Sequence, residues 1–422
     1  MRAVIVTFGS AGDVLPFVAV GRELQDRGHT VELLTNARYR APVEAGGLRF
    51  TPLGDADVFE TLAADPRLWH PTRGSLYVLS EIVRRLPEAV DGLLGRVRDD
   101  RPDVMVGSSL AFAARLVRDL ERLPLVTVHL APAVLRSVHR PPRLHGAWAP
   151  AWLPIGYRRA MWWVADRVVE PVLGPGLRAE LDRHGLPPVR FPLADWWHSP
   201  DRVLGLFPDW FAPPQPDWPP QLELVGFPLA DGDHAETVDP ELDAWLSAGD
   251  PPVVVTPGSA NFHAGSMLAT AVSAASQLGR RALVIASDAS SVPRPLPGGG
   301  LHRPWLPFRA VLPRAAALIS HGGIGTVAHA LAAGLPHVVL SFAHDQLDNG
   351  SRLEDLGCGA VVPQRRASVQ RVADRLRTVL DASDVASSCA RASRTIDGLA
   401  ARRAAVTAIE DTARGGWCGD GS

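Results

Sequence analysis

The chain has 422 residues, and its 43 basic and 45 acidic side chains nearly cancel. The chain is longer than a domain with one hydrophobic core usually is, which predicts two domains of about 200 residues each. The balanced charge leaves no broad positive face to neutralise a phosphodiester backbone, so no nucleic-acid partner is expected.

The N-terminal half alternates short apolar runs with helical patterns. Ala3 to Phe8 is predicted as a buried strand, because the run is too short for a signal sequence or a membrane-spanning helix. Val14 to Arg27 has helical periodicity, and Thr30 to Thr35 is predicted as the second strand. The alternation continues as strand, helix and strand at Asp103–Val106, Ala111–Leu120 and Leu125–His129. These elements predict a doubly wound, parallel α/β domain.

A glycine turn, Gly9 to Asp13 (GSAGD), joins the first strand to the first helix. It differs from the G-x-G-x-x-G fingerprint of dinucleotide-binding proteins, and a carboxylate at this point would repel a pyrophosphate. We therefore assign Asp13 as a general base that takes a proton from a hydroxyl group. The alternative is that Asp13 caps the helix that begins near Val14, because aspartate is among the preferred N-cap residues.

The segment from Leu144 to Asp166 is rich in apolar residues and contains Trp148, Trp152, Trp162 and Trp163. This composition predicts a pocket for a lipophilic small molecule. Core packing and a helix in peripheral contact with a membrane are the alternatives. No segment reaches the apolar length needed to cross a bilayer, so a soluble protein is expected.

A proline-rich stretch, Phe211 to Pro220 (FAPPQPDWPP), predicts a linker, because proline fixes φ and removes backbone donors. We predict an N-terminal domain at 1–212, a linker at 213–222, a C-terminal domain at 223–395 and a terminal helical segment at 396–422. Strands and helices alternate in the second domain as in the first. The predicted strands are Pro252–Thr256, Arg281–Ala286, Ala315–Ser320 and Val338–Leu340, and a long helix is predicted at Ala390–Thr412.

The stretch from Leu312 to Leu356 carries the most specific pattern in the chain. Its turn, His321 to Thr326 (HGGIGT), opens an alanine-rich helix whose unpaired N–H groups and dipole favour an anion such as phosphate. The next strand ends in Ser341 to Gln346 (SFAHDQ), whose polar side chains suit sugar hydroxyls. Since ligands of parallel α/β folds lie at the carboxyl ends of strands, a diphosphate and a sugar are expected here. A plain glycine turn is the alternative for HGG.

A second small-residue turn, Pro257 to Ala260 (PGSA), follows a predicted strand in the same way. It is predicted to open a helix, which would let Ser259 reach the β-phosphate. A plain strand-to-helix turn is the alternative, and the pairing with HGGIGT favours the diphosphate.

Together with the W-x-P motif of Trp305 and Pro307, these features resemble the donor-site signature of GT-B glycosyltransferases that use nucleotide sugars. The resemblance implies two Rossmann-like domains facing across a cleft, with a terminal helix that returns to the N-terminal domain. It implies that a tryptophan stacks on the nucleobase, that the HGGIGT turn touches the diphosphate and that the DQ pair binds the sugar. The residues so implied are Trp305, His321, Thr326, Asp345 and Gln346. Backbone N–H groups of Gly322, Gly323 and Ser259 would stabilise the charge that develops on the leaving phosphate.

Several further motifs resemble the rhamnosyltransferase B chain of rhamnolipid synthesis and its relatives. They are GSAGDVLPF (9–17), DPRLW (65–69), WHSP (197–200), LFPDWFAPP (206–214) and GFPL (226–229). This resemblance implies dTDP-L-rhamnose as the donor and a hydroxyalkanoyl lipid as the acceptor. Relatives with a GxxGD turn are thought to use its aspartate as the base, which favours Asp13, and His129 and His263 are the next candidates.

We therefore predict a cytoplasmic, inverting glycosyltransferase that moves a sugar from a dTDP- or UDP-sugar to a hydroxyl of a lipophilic acceptor. No DxD pair stands beside the phosphate turn, and Cys358, Cys389 and Cys418 lack metal-ligand spacing, so no metal or other cofactor is expected. An epimerase of the same fold and a non-catalytic nucleotide-sugar-binding protein are the alternatives. The nucleobase, the sugar, the acceptor and the oligomeric state stay open at this point.

Overall fold

The computed structural model describes residues 1–54, 57–146, 149–150, 152–230, 238–261 and 263–416. The chain divides into two compact units. The first unit contains Met1–Leu62, Thr72–Pro228 and the chain from Gly398 onward, and the second contains Ala63–Pro71 and Leu229–Asp397.

Strands and helices alternate along most of the chain. The strands are β1 (Arg2–Val6), β2 (Thr30–Thr35), β3 (Arg49–Pro52), β4 (Val104–Ser108), β5 (Leu125–His129), β6 (Arg202–Gly205), β7 (Leu222–Leu224), β8 (Val253–Thr256), β9 (Ala282–Ile285), β10 (Leu301–Arg303), β11 (Ala317–Ser320), β12 (His337–Ser341) and β13 (Gly359–Pro363). The helices are α1 (Ala11–Asp26), α2 (Arg40–Ala45), α3 (Val58–Ala64), α4 (Gly74–Arg84), α5 (Leu86–Asp99), α6 (Phe112–Glu121), α7 (Ile155–Arg183), α8 (Pro240–Ser247), α9 (Gly265–Gln277), α10 (Phe308–Val311), α11 (Ile324–Ala332), α12 (Gln346–Asp355), α13 (Val369–Asp381), α14 (Ser383–Arg394) and α15 (Gly398–Gly415).

The first unit is built on a parallel sheet in the order β3-β2-β1-β4-β5-β6-β7. β1 lies inside this sheet and is apolar on both faces, so Ala3 and Ile5 enter one core cluster while Val4 and Val6 enter the other. The terminal helix α15 packs beside α1 in this unit. Its Glu410 accepts a hydrogen bond from the ring of His29 at 2.7 Å.

The second unit is built on a parallel sheet in the order β10-β9-β8-β11-β12-β13. In β8 the side chains again alternate, with Val253 and Val255 on the face covered by α9 and α13. Val254 points to the opposite face, where it packs with residues of α8, α10 and α11. Both faces of the sheet are therefore buried, as parallel sheets require.

The predicted fold class, two parallel doubly wound α/β domains, is confirmed. The long helix predicted at Ala390–Thr412 is wrong, because α14 ends at Arg394 and α15 begins at Gly398. The intervening Thr-Ile-Asp favours an interruption, since β-branched residues and aspartate have low helix propensity. The predicted linker at 213–222 overlaps β7 at Leu222 and lies within the first unit, and the chain enters the second unit at Leu229.

Candidate functional site

Three turns meet at the carboxyl edge of the second sheet. β11 lies between β8 and β12, and Ser320 at its end pairs with Thr256 on one side and Val339 on the other. The PGSA, HGGIGT and SFAHDQ turns follow these three neighbouring strands. Ser259, His321 and Asp345 therefore follow neighbouring strands at the edge where parallel α/β folds bind ligands.

The His321 ring fits between two glycines of different turns. A Cβ atom added at Gly258 would lie 2.5 Å from His321 Cε1, and one added at Gly323 would lie 2.6 Å from Nε2. Burial, together with the nearby His344, lowers the pKa of His321 to about 4. His321 is therefore neutral near pH 7, and its buried Nδ1 has no hydrogen-bond partner among the described residues.

The first turn of α11 supplies unpaired backbone donors. Gly323 is the N-cap residue, and Val327 N donates to Gly323 O at 3.0 Å as the first helical bond. The N–H groups before Val327 consequently have no carbonyl partner within the helix. Thr326, the third residue of the helix, is partly buried in this turn.

The backbone of Gly322 is engaged inside the protein. Its N–H donates to Ser320 Oγ at 3.0 Å, which corrects the expectation that this N–H faces a ligand. Its φ of +91° suits glycine, and an added Cβ would lie 2.4 Å from Val339 Cγ1. The shape of the turn therefore explains why residue 322 is glycine. Gly323 and the first turn of α11 remain as candidate backbone donors to a ligand.

The DQ pair is held by bonds to its own turn and to HGG. Gln346 is buried, and its Oε1 accepts from Phe342 N at 2.7 Å and from Ala343 N at 3.2 Å. Gln346 Nε2 makes no hydrogen bond to any residue that the structure describes. The side-chain amide nitrogen is therefore the part of Gln346 suited to a sugar hydroxyl.

Asn349 links the two motifs, and the sequence analysis missed it. Its Nδ2 donates to Gly322 O at 3.0 Å and to Asp345 Oδ2 at 2.7 Å. The side chain is fully buried. Its position four residues after Asp345, one helical turn away, was the available signal.

Ser259 and Trp305 lie at the same edge of the second sheet but outside the HGG–DQ contact. Ser259 is exposed, and α9 begins only at Gly265. The expectation that Ser259 opens a helix is therefore wrong, since a loop separates β8 from α9. Trp305 follows β10 and is 60% exposed, so its ring is accessible for stacking.

Part of the DPRLW motif also packs beside the DQ turn within the second unit. The Trp69 ring meets His344 edge to face, with centroids 6.0 Å apart. His263 Nε2 lies 2.8 Å from Ala64 O, so this nitrogen carries a proton and donates it. That contact makes His263 a poor candidate for the base.

Asp13 lies at the start of α1 in the first unit. Ser10 is the N-cap residue, and both its N–H and its hydroxyl donate to Asp13 Oδ2, at 2.7 and 2.8 Å. Asp13 is the third residue of α1, and the bond that it accepts from the Ser10 N–H is the N3-to-N-cap half of a capping box. Burial raises the pKa of Asp13, and the two bonds from Ser10 oppose that rise. Among the described residues nothing donates to Oδ1, so one carboxylate oxygen is anchored and the other is left for a proton.

His129, the other alternative candidate for the base, belongs to a buried chain of hydrogen bonds. Trp197 Nε1 donates to His198 Nε2 at 3.0 Å, so the proton of neutral His198 sits on Nδ1 and points to His129 Nε2 at 2.9 Å. His129 Nδ1 then donates to Ser109 Oγ at 2.8 Å. Burial holds the pKa of His129 well below its ordinary value. Both nitrogens are engaged, which leaves His129 unsuited to accept a substrate proton.

The tryptophan-rich segment lies largely at the surface of the first unit. Trp152 is 80% exposed and Trp163 is 55% exposed. Trp162 Nε1 donates to Ser137 O at 3.1 Å. Trp148 lies outside the described residues.

No group of three or more His, Cys, Asp or Glu side chains in the described ranges is arranged to hold a metal ion. None of the described helices has both the length and the apolar character to cross a bilayer. Cys358 and Cys389 are buried free thiols, and Cys418 lies outside the described residues.

Comparison with known proteins agrees with the fold. Residues 3–127 match the glycosyltransferase family 28 N-terminal domain, and residues 274–403 match the C-terminal domain of erythromycin biosynthesis protein CIII-like proteins. O-mycaminosyltylonolide 6-deoxyallosyltransferase of Streptomyces fradiae is 30% identical over 420 residues, which cover 96% of this chain and 94% of that protein.

Two solved structures share the architecture over nearly the whole chain. The glycotransferase of kitacinnamycin has a TM-score of 0.74 and 22% identity, and covers 97% of this chain and 98% of its own. The spinosyn rhamnosyltransferase SpnG, complexed with thymidine diphosphate, has a TM-score of 0.68 and 21% identity, and covers 97% of this chain and 100% of its own. With the family models and the Streptomyces relative, these findings show that the chain is an enzyme of the GT-B glycosyltransferases that join a family 28 N-terminal domain to an EryCIII-like C-terminal domain.

Proposed function

We propose that the protein transfers a sugar, L-rhamnose or another deoxysugar, from a dTDP- or UDP-sugar to a hydroxyl group of a lipophilic acceptor. The acceptor class is a natural-product aglycone or a hydroxyalkanoyl lipid. The observation that carries the proposal is the link made by Asn349, which joins the turn suited to phosphate with the turn suited to sugar. The name of the Streptomyces relative, O-mycaminosyltylonolide 6-deoxyallosyltransferase, favours a deoxysugar.

The second unit holds the donor in this proposal. Trp305 stacks on the nucleobase, for which its exposed ring is available. The first-turn N–H groups of α11, the Thr326 hydroxyl and the α11 dipole bind the diphosphate, with Gly323 and Ser259 adding backbone donors. Asp345 and Gln346 bind the sugar hydroxyls. His321 is neutral near pH 7 and supports the turn between its two glycine neighbours, adding no charge to the diphosphate site.

Asp13 of the first unit is the base. As the acceptor oxygen attacks the anomeric carbon, its O–H bond breaks and the proton passes to the Asp13 carboxylate. The bond from the anomeric carbon to the phosphate oxygen breaks at the same time, and the nucleoside diphosphate leaves with that electron pair. Attack from the face opposite the leaving group inverts the anomeric configuration. Donors fixed at the start of α11 stabilise the charge that grows on the phosphate.

The base and cap interpretations of Asp13 assign the same role to Oδ2, which accepts both bonds from Ser10. They differ on Oδ1, which accepts the substrate proton only if Asp13 is the base. Ser10 fixes the rotamer through Oδ2, which is what a capping residue needs and also what a positioned base needs. The raised pKa is specific support for the base, because a carboxylate that burial makes more basic takes a proton more readily.

The proposal is tested by donor screening followed by transfer assays. Thermal shift with dTDP- and UDP-sugars should show stabilisation that grows with the logarithm of donor concentration. Chromatography should then show release of the nucleoside diphosphate only when a hydroxylated lipophilic acceptor is present. Conversion of the donor sugar without any acceptor would indicate an epimerase. Tight donor binding without release for every acceptor would indicate a binding protein.

A further inference from the structure

The N-terminal half of α7 and the residues just before it concentrate the exposed apolar side chains of the described chain. Six of the eight large hydrophobic residues that are exposed there lie between 152 and 168, with exposed fractions from 38% to 80%. Single exposed apolar residues are common on protein surfaces, whereas a run of this kind marks an interaction site. The six are Trp152, Ile155, Tyr157, Trp163, Val164 and Val168.

Helical geometry places three of these six side chains on one outward stripe, and Ile155 and Trp163 are exposed elsewhere on the helix. Tyr157, Val164 and Val168 follow the spacing i, i+7 and i+11, which keeps them on the same face of α7. The opposite face is tied to the protein, since Arg158 donates to His139 O at 2.9 Å and Trp162 donates to Ser137 O. α7 therefore buries its polar contacts and turns an apolar stripe outward. We call this stripe, with Trp152, Ile155 and Trp163, the α7 face.

The charges beside the α7 face are positive. Arg159 and Arg167 are exposed on the same helix, and the Arg167 guanidinium lies 4.3 Å from the centroid of the Trp163 ring. The segment 152–168 contains one acidic residue, Asp166, and its carboxylate pairs with Arg136. The charge left to face a partner is therefore cationic.

We propose that the α7 face docks on an anionic lipid surface. Aromatic side chains favour the depth of the lipid headgroups, aliphatic side chains enter the acyl boundary, and arginines reach lipid phosphates while their stems stay in apolar contact. This combination of aromatic, aliphatic and cationic residues fits an interfacial helix. A second copy of the chain would bring the same arginines to the contact in a symmetric pair, so the charge favours lipid over self-association. The proposal goes beyond sugar transfer and does not depend on it.

The test is co-sedimentation of the full chain with vesicles of phosphatidylcholine, alone or mixed with phosphatidylglycerol, without donor or acceptor. The wild-type protein should bind the mixed vesicles more tightly, and added salt should weaken that binding. An arginine near an anionic surface contributes about fivefold to binding, so Arg159→Gln combined with Arg167→Gln should weaken it about 25-fold. Trp163→Ser combined with Val164→Ser should weaken binding to both vesicle types.

The matched control is Leu399→Ser, which removes an exposed apolar side chain outside the α7 face. It should leave vesicle binding unchanged. Circular dichroism and thermal unfolding should show that all variants are folded, since the changed residues are exposed. The proposal is overturned if the wild-type protein binds neither vesicle, or binds both equally at every salt concentration. It is also overturned if the variants abolish a concentration-dependent dimer in a protein that ignores vesicles.

Discussion

Replacing Asn349 by alanine tests whether the contact between the HGG and DQ turns organises the candidate site. Asn349→Ala removes the amide nitrogen that donates to Gly322 O at 3.0 Å and to Asp345 Oδ2 at 2.7 Å. Loss of the donor to the buried Gly322 O costs about 1–3 kcal/mol, and loss of the half-buried bond to the Asp345 carboxylate adds a smaller cost. Asn349 Oδ1 has no partner in the described chain, so its removal recovers part of that loss. We expect the free energy of unfolding to fall by about 1–3 kcal/mol.

The same variant should bind nucleotide sugars more weakly, because the two turns that hold the diphosphate and the sugar lose their link. Urea unfolding and donor titration by thermal shift measure the two effects. The matched control is Gln370→Ala, which removes a bond to Asp374 at 2.9 Å that is also four residues away but exposed. The control should change stability by less than about 0.5 kcal/mol. Equal losses of unfolding free energy in both variants, or full donor affinity in Asn349→Ala, would show that the Asn349 link does not organise the candidate site.

Three further predictions concern the nucleobase, pH and metals. Trp305→Ala should leave stability unchanged, since the ring is 60% exposed, but should weaken nucleotide binding by about 1–3 kcal/mol; unchanged affinity by calorimetry would remove the stacking role. Burial lowers the pKa of His321 to about 4 and that of His337 to about 3, so the folded chain binds fewer protons than the unfolded chain below about pH 6.5. The free energy of unfolding should therefore fall as pH is lowered from about 6.5 towards 3, and His337→Asn should flatten that dependence in urea titrations. EDTA should leave turnover unchanged, because the donors at the start of α11 are proposed to stabilise the charge on the leaving diphosphate without a metal ion. Loss of turnover that Mg²⁺ restores would contradict this proposal.

The central strands were predictable because they are apolar on both faces. β1, β5 and β11 are short, nearly continuous apolar runs between turn residues, which is the pattern of a buried parallel strand. Edge strands gave no such signal. β7 is Leu-Glu-Leu and β10 is Leu-His-Arg, and neither strand has a fully buried residue.

The turns of the candidate site were also predictable, since glycine and polar residues after a strand mark the edge where ligands bind. The bonds inside those turns were not. The Gly322 N–H is taken up by Ser320 Oγ, and Asn349 reaches back across 27 residues to Gly322 O. Such contacts depend on which strands are neighbours. The order of strands in a sheet cannot be predicted from local periodicity, so these bonds could not be predicted.

One motif was placed by long-range packing, and Asp13 by the exact start of a helix. As a sequence motif, Asp65 to Trp69 indicates only a family resemblance, yet residues 63–71 belong to the second unit and Trp69 meets His344. Asp13 was weighed as a base or as a cap near Val14. The structure makes it the third residue of α1, bound by Ser10, a geometry that depends on where the helix starts.

The most direct test of the proposed mechanism is turnover by Asp13→Asn, measured beside donor affinity and compared with Ser10→Ala. Both variants disturb the capping box, but only the first removes the carboxylate. The proposal predicts that Asp13→Asn binds the nucleotide sugar like the wild type and loses about 10²–10⁴ in turnover, while Ser10→Ala keeps most of its activity. If Asp13→Asn turns over as fast as Ser10→Ala, the carboxylate is a cap and the base lies elsewhere.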